Sequence, residues 1–345
     1  MQRKSKEQEK NTNTVPTAKT VTIKKEKFRW KDLNKDKIHR FLFGTKEKQG
    51  FLKQFVTYAL LICIGFIYLY PLLYMISNSF MTLDDLLDTS VNWIPSSLNF
   101  NNYVQAAKSM SFWPSLFKSI VLALVPTALN IVSCSVVGYG LARFEFKGKK
   151  LILMIIIFSF IIPSQITMIP TYVLYGKINI LNTIGAFILP SLLAQGINAP
   201  IFILIFYQFF KQVPKVLIEA ASIDGAGYLR SFIKISVPSA APAILTVFLF
   251  SFVWYWNESY LTQMYVSGVK STSTWTNLVI QLKKFEANYN TFATQMSSTG
   301  SAATSLNESI KMSGTMLSIL PILLMYFVLQ RYFVESIDRA GITGE

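Results

Sequence analysis

The chain has 345 residues, of which 52% are hydrophobic, 14% aromatic and only 15% charged, with a net charge of +15 at pH 7. Its mean hydropathy is +0.39, which excludes an ordinary soluble globular domain, because soluble helices each need a continuous polar face. No Asp, Glu, Lys, Arg or His falls between Lys53 and Asp84, Lys118 and Arg143, Lys150 and Lys177, Lys177 and Lys211, Lys234 and Glu258, or Lys311 and Arg331. Each gap is close to the ~20 residues a helix needs to cross a ~30 Å hydrocarbon core. The pattern predicts an all-α integral membrane protein with six transmembrane helices.

Residues 1–53 form a basic tail with 16 Lys or Arg against 6 Asp or Glu. Such a tail is too polar for a cleavable signal peptide and fixes orientation, leaving the first span as an uncleaved anchor. A pattern such as Lys24-Lys25-Glu26-Lys27 also suits an anionic lipid surface, but the preferred expectation is a solvated tail, with no nucleic-acid partner. Phe28, Trp30, Phe41, Phe43 and Phe51 leave room for a short interfacial helix ahead of the membrane.

The first span is expected over Phe55–Ile76, kinked or broken near Pro71. An outside segment, Ser79–Ser115, follows, with Asp84, Asp85 and Asp88 and with Trp93 and Trp113 at interface depth. The second span, Ile120–Leu141, ends at Arg143 and a short loop that carries basic residues through Lys150. The third, Leu151–Tyr175, contains Pro163 and Pro170, and the fourth, Ile184–Phe210, contains Pro190 and Pro200. Proline inside a span frees a carbonyl that only neighbouring helices or water can satisfy, so these spans belong to a bundle interior. The fifth span is Ala240–Trp256, an outside segment runs to Lys311, and the sixth is Met312–Leu329. Basic residues in the loops around Arg143–Lys150 and Lys211–Lys234 place both termini in the cytoplasm.

Polar residues inside the spans have two readings. Asn130, Ser133, Gln165, Gln195 and Asn198 either hydrogen-bond between helices, at ~0.6 kcal/mol per pair, or line a polar translocation cavity. The candidate substrate pathway is Gln165, Tyr172, Gln195, Asn198, Trp254 and Asn257: amides and aromatic faces without an intramembrane charge, which suit a neutral, hydroxyl-rich solute. Cys63 and Cys134 fall within predicted spans and the one histidine, His39, lies in the tail. No metal centre, catalytic triad or disulfide framework is therefore expected. No glycine-rich phosphate loop occurs either, so the chain is expected to be non-catalytic and to take energy from another subunit.

Between the fourth and fifth spans, Pro214 suits the first turn of a helix. Val216, Leu217, Ala220 and Ala221 make an apolar strip, and Gly225 with Gly227 can end it. The expected product is a short cytoplasmic rod of about 11 residues, ~16 Å long. Its run Glu219-Ala220-Ala221, then Gly225-Ala226, then Ile235, Val237 and Pro238 resembles the "EAA" loop of type I importer permeases of the ATP-binding cassette class, departing by Val237 where Leu is usual. Gly140 to Lys149, Asn182-Thr183 with Pro190, Trp256-Asn257-Glu258 and Gln330 to Val334 are similar to the carbohydrate-uptake branch, in its maltose-permease-like second subunit. The resemblance covers Tyr103–Tyr260 and Lys311–Gly344.

That resemblance implies the type I importer permease fold in a bacterial plasma membrane. It implies a heterodimer of this chain with a second permease, two cassette ATPase subunits that carry the ATP and Mg, and an extracellular binding protein that delivers a sugar or oligosaccharide. It makes loop 211–238 the coupling element, with Glu219, Ala220, Ala221, Asp224, Gly225 and Ala226 seated on the ATPase. It also places Asp338–Glu345, within the cytoplasmic C-terminal tail of residues 334–345, near the ATPase dimer. Two features depart from the family: the long basic tail, and an outside segment, residues 259–311, enlarged around Ser297–Ser305. A permease for a polyamine, phosphate or peptide is the alternative within transporters. A membrane enzyme or sensor is disfavoured, because the spans lack clustered acids and histidines.

Overall fold

The computed structural model describes residue 42 and residues 50–91, 93–267, 275–298 and 306–342, and among these it contains helices and turns but no strand. The expectations for most of the basic tail, for residues 299–305 of the enlarged segment and for the last three residues lie outside the described residues. By packing, the chain divides between Tyr70 and Pro71. The described part of the first unit is essentially the N-terminal portion of helix α1 (Phe51–Ser79), a 29-residue apolar run with no acidic residue in its first turn. α1 continues through Pro71 and is not broken there. A single proline removes one backbone hydrogen bond, and no second breaker flanks it.

The second unit begins after that point and holds the remaining helices. The last turn of α1 leaves an orphan carbonyl at Ser79, which accepts hydrogen bonds from Asn102 Nδ2 (3.1 Å) and Ser313 Oγ (2.9 Å). α2 (Leu83–Leu87) starts with a reciprocal capping box, Asp85 N–H donating to Thr82 Oγ1 and Thr82 N–H to Asp85 Oδ2. α3 (Asn101–Ser109) then leads into α4 (Phe112–Arg143), a 32-residue helix that passes through Pro126.

Three expected spans are built differently from straight helices. The third divides at Pro163 into α5 (Lys149–Ile161) and α6 (Ser164–Lys177), bent by 99°. Pro163 disfavours the α conformation of Ile162 before it, whose ψ is 121°. The fourth becomes α7 (Gly185–Leu192) and α8 (Ala199–Gln212), separated by a turn with Ala194 and Asn198 at positive φ. α9 (Lys215–Ile223) bends 72° from α8. α10 (Tyr228–Ser231), a π turn (Phe232–Ser236) and α11 (Val237–Ser239) form one run, bent 75° from α12 (Ala241–Asn257). A second π turn spans Thr262–Ser267.

The segment expected outside contains helices: α13 (Leu278–Lys283) and α14 (Phe285–Ser298) lie within it. α15 (Glu308–Ile342) passes Pro321 and runs beyond the expected sixth span, into the segment assigned to the C-terminal tail. Among the described residues, three helices, α1, α4 and Glu308–Tyr332 of α15, are long and apolar enough to cross a membrane alone, and the number reaches six if each of the three bent pairs counts as one span.

Two apolar clusters organise the second unit along α4. One gathers Met110, Leu122, Phe187, Trp256, Leu278, Phe285 and Tyr289. The other is built on Phe202, Phe206 and Phe210, one turn apart along α8 and without exposed surface, with Cys134, Tyr139 and Val247. Lipid is as apolar as these side chains, so close packing rather than escape from water holds such an interface in a bilayer. Gly138 provides that closeness: a Cβ there would stand 2.6 Å from Phe206 Cβ and 3.0 Å from the Tyr207 backbone nitrogen. α5 and α6, by contrast, bury no residue within the chain.

Candidate functional site: the α9 loop and a polar break

The loop after α8 has the local structure its sequence dictates. Pro214 precedes the helix as its cap (φ −57°, ψ 131°) and is not its first helical residue, so α9 has nine residues and not the expected 11. Its C-terminus closes in a Schellman arrangement: Ala226 N–H donates to Ala221 O (2.8 Å) and Gly225 N–H to Ser222 O (3.1 Å). The arrangement needs a left-handed residue after Asp224, and Gly225 supplies it at φ 80°. Glu219, Ala220, Asp224 and Gly225 are exposed, and Ala221 and Ala226 are half-buried. α9 buries no side chain in this chain. Val216, Ile223 and Leu229 are 70%, 87% and 72% exposed, an apolar surface flanked by Glu219 and Asp224.

The loop is fastened to the end of α4. Arg143 Nη2 donates to Val213 O at 2.8 Å, where α8 turns into α9. The Tyr228 ring meets Phe144 at 5.2 Å, and Phe232 meets Tyr139 at 4.8 Å. A cleft of about 900 Å³ opens between this junction and the α4–α5 turn, with Glu219 and Ile218 on one wall and Glu145, Lys149 and Lys150 on another. Lys149 Nζ lies 2.8 Å from Glu145 Oε1, and its hydrogen bond, with Lys215 and Lys211 further off, holds the Glu145 carboxyl below the usual range.

A second polar centre lies where the fourth expected span breaks. Ile197 N–H donates to Tyr255 Oη (3.1 Å), and the same hydroxyl shares a 2.7 Å hydrogen bond with Ser191 Oγ. Gly196 sits against this cluster so closely that a Cβ would fall on Asn130 Oδ1 and within 2.8 Å of Tyr255 Oη and Ser191 Oγ. Ser133 Oγ donates to Ser191 O (2.6 Å), Asn130 Nδ2 to Ser251 Oγ (3.4 Å) and Thr127 Oγ1 to Ser251 Oγ (3.1 Å). Asn130 and Ser133 therefore bind helix to helix. Tyr255, Ser191 and Gly196 were not expected from the sequence; the signal available was Gln195-Gly196-Ile197-Asn198 shortly after Pro190, a breaker sequence inside an apolar run.

None of the six pathway candidates lines the cleft beside α9. Gln195 and Asn198 share the turn between α7 and α8, Gln195 exposed and Asn198 half-buried with φ 55°. Trp254 is half-buried between Phe202 and Phe250, with ring distances of 5.5 and 6.0 Å. Asn257 is exposed and donates back to Val253 O. Gln165 is exposed on α6, and Tyr172, on the same helix, stacks on Tyr265 at 6.5 Å.

Broken apolar helices of membrane-spanning length, with the exposed helix α9 between two of them, fit a permease subunit. Residues 135–339 match the family described as "Binding-protein-dependent transport system inner membrane component", and the chain belongs to that family. It is a multi-pass membrane protein. "Protein LplC" of Bacillus subtilis is 30% identical over 81% of this chain and 91% of its own length. "Arabinooligosaccharides transport system permease protein AraQ" of Halalkalibacterium halodurans is 29% identical over 81% and 93%. "Polygalacturonan/rhamnogalacturonan transport system permease protein YtcP" of Bacillus subtilis is 27% identical over 83% and 96%. A chain of a solved "bacterial ABC transporter involved in the import of the acidic polysaccharide alginate" shares the fold, with a TM-score of 0.68 and 22% identity over 82% of this chain and 96% of that one.

Proposed function

We propose that this chain forms half of the translocation pathway of an ATP-driven, binding-protein-dependent importer for a sugar or oligosaccharide. A second permease completes the pathway, two cassette ATPase subunits hold the ATP and Mg, and an external binding protein delivers the solute; this chain is non-catalytic. The observation that carries the reading is α9, a capped rod that buries nothing in its own chain and exposes Val216 and Ile223 between Glu219 and Asp224. A partner groove gains apolar contact there, and partner Arg or Lys gains charge-assisted hydrogen bonds. Movement of α9 passes to α4 through Arg143–Val213 and through the Tyr228–Phe144 and Phe232–Tyr139 contacts.

The carbohydrate assignment draws support from the printed functions of the relatives AraQ and YtcP and from the uncharged side chains at the α7–α8 break. Irregular backbone at membrane depth is tolerated where it meets protein or a water-filled cavity, so the exposed Gln195, with Asn198, Trp254 and Asn257, borders the path, and Gln165 and Tyr172 extend it along α6. Co-purified with its partners and reconstituted, the complex is expected to couple ATP hydrolysis to oligosaccharide uptake. Gln195→Ala with Asn257→Ala should reduce uptake more than assembly. A binding-protein partner that retains an amino acid, peptide or phosphate and no sugar would refute the carbohydrate reading.

Orientation follows from the Lys/Arg asymmetry: both termini and α9 are cytoplasmic, and α14 is outside. Ser222 and Ser297 are both exposed, so accessibility within the chain does not bias a labelling comparison. In a background carrying Cys63→Ser and Cys134→Ser, Ser297→Cys should react with an impermeant thiol reagent on intact cells and Ser222→Cys only after lysis. The opposite pattern would invert the topology.

A further inference from the structure

The cleft beside α9 holds more positive charge than its own acids neutralise. Five basic side chains line it, Arg143, Lys149, Lys150, Lys211 and Lys215, against Glu145 and Glu219. Lys149 is spent on Glu145. Lys211 lies over the Tyr207 ring at 5.9 Å, and Lys150 and Lys215 are exposed. Arg143 gives Nη2 to Val213 O, but its Nε is buried with no acceptor, and leaving a charged donor unpaired in a buried position is costly.

The surroundings bear on the kind of anion this charge would suit. α5 leaves the cleft at Lys150 and at once presents Leu151, Met154 and Ile155, 60%, 64% and 58% exposed, while Leu153 turns into the cleft. Phe144 and Phe146, both partly exposed, stand at the same level. Basic and aromatic side chains adjoining an apolar, outward-facing helix are the chemistry of a headgroup zone. A soluble anion would have no use for the apolar wall of α5, whereas acyl chains would lie along it. We propose that this cleft binds the phosphate headgroup of an anionic phospholipid of the cytoplasmic leaflet, placed against the hinge between α4 and the coupling helix.

This rests on the membrane assignment and not on the transported solute, so a failed lipid test leaves oligosaccharide uptake untouched. The full chain, reconstituted in nanodiscs of phosphatidylglycerol and phosphatidylcholine in equal amounts, should retain phosphatidylglycerol preferentially when released for native mass spectrometry. Lys150→Gln with Lys211→Gln should reduce that preference about tenfold or more, with an unchanged melting midpoint in phosphatidylcholine alone showing that the variant is folded. Lys177→Gln with Lys283→Gln, which removes equal charge outside the cleft, should leave the preference intact. The basic N-terminal tail is present in every variant and cancels from the comparison. Equal lipid retention by the cleft variant and the unaltered chain would overturn the proposal. So would stabilisation by inorganic phosphate as large as that by phosphatidylglycerol, which would assign a soluble anion. Loss of the preference once the partner ATPase is bound would overturn it too, assigning the cleft to an acidic protein surface.

Discussion

Gly138→Ala is expected to lower the melting midpoint of the purified chain, and Gly138→Val to prevent its stable accumulation. The added Cβ would stand 2.6 Å from Phe206 Cβ, 3.0 Å from the Tyr207 nitrogen and 3.2 Å from the Ile203 carbonyl oxygen. Those atoms belong to, or are fixed directly to, the backbone of α8, so no rotamer change relieves the clash and the two helices must separate. Overpacking of this kind costs about 1–3 kcal/mol for one methyl and more for a branched side chain. Separation would also loosen the ring contacts that Tyr139 makes with Phe210 (5.5 Å) and Phe232 (4.8 Å). Gly140 is the internal control. It lies two residues on in the same helix, and nothing stands within 4 Å of a Cβ placed on it. Gly140→Ala should therefore hold the midpoint or raise it, because glycine inside a helix is about 0.5–1 kcal/mol worse than alanine. Equal midpoints for Gly138→Ala and the unaltered chain would show that α4 and α8 do not cross at the distance described.

The contrast between these two glycines marks the limit of what the sequence conveys. Charge-free gaps located the spans because the cost of burying a charge in hydrocarbon is large and local, and α1, α4, α12 and α15 fall where the gaps place them. The breaks at Pro163 and between Leu192 and Ala199 were harder to read. Proline within a span signals a freed carbonyl, but whether the helix continues depends on what the tertiary fold offers that carbonyl. The helix continues through Pro71, Pro126 and Pro321 and breaks at Pro163. The α7–α8 turn survives because Tyr255 Oη, from a helix some sixty residues later in the chain, accepts from Ile197 N–H. No local pattern contains that contact.

The α9 loop was legible for the opposite reason. Its cap is a contact between residues a few positions apart, so Asp224-Gly225-Ala226 after an alanine-rich helix already encodes the left-handed turn. The outside segment gave little beyond its polarity. α13 and α14 are held by distant partners such as Ser119, whose Oγ accepts from Leu278 N–H at 2.8 Å.

Gly225→Asp is expected to abolish ATP-driven uptake while the chain still inserts and still co-purifies with its partners. Gly225 is exposed at φ 80°, and nothing in the chain lies within 4 Å of a Cβ placed there. The substitution therefore meets no obstacle to folding beyond the backbone penalty of a left-handed residue, ~1–2 kcal/mol for most side chains; aspartate is among the residues that tolerate that conformation best. The damage falls at the docking surface. An extra carboxylate beside Asp224, pressed into the partner groove where no cation remains beyond those that pair Glu219 and Asp224, is a desolvated like-charge contact, and such contacts cost several kcal/mol, about 2 or more. That is about a 30-fold or greater loss of correctly seated α9. The second permease has its own coupling loop in the proposed assembly, so the ATPase remains attached while this half of the pathway is disconnected. Gly225→Asn separates the causes: it takes the same left-handed turn without the charge and should retain most uptake, whereas Gly225→Val, β-branched and neutral, should lose uptake through strain at the cap. The decisive reading is uptake per assembled complex. If Gly225→Asp transports at the unaltered rate, α9 is not the element through which the ATPase drives the membrane helices.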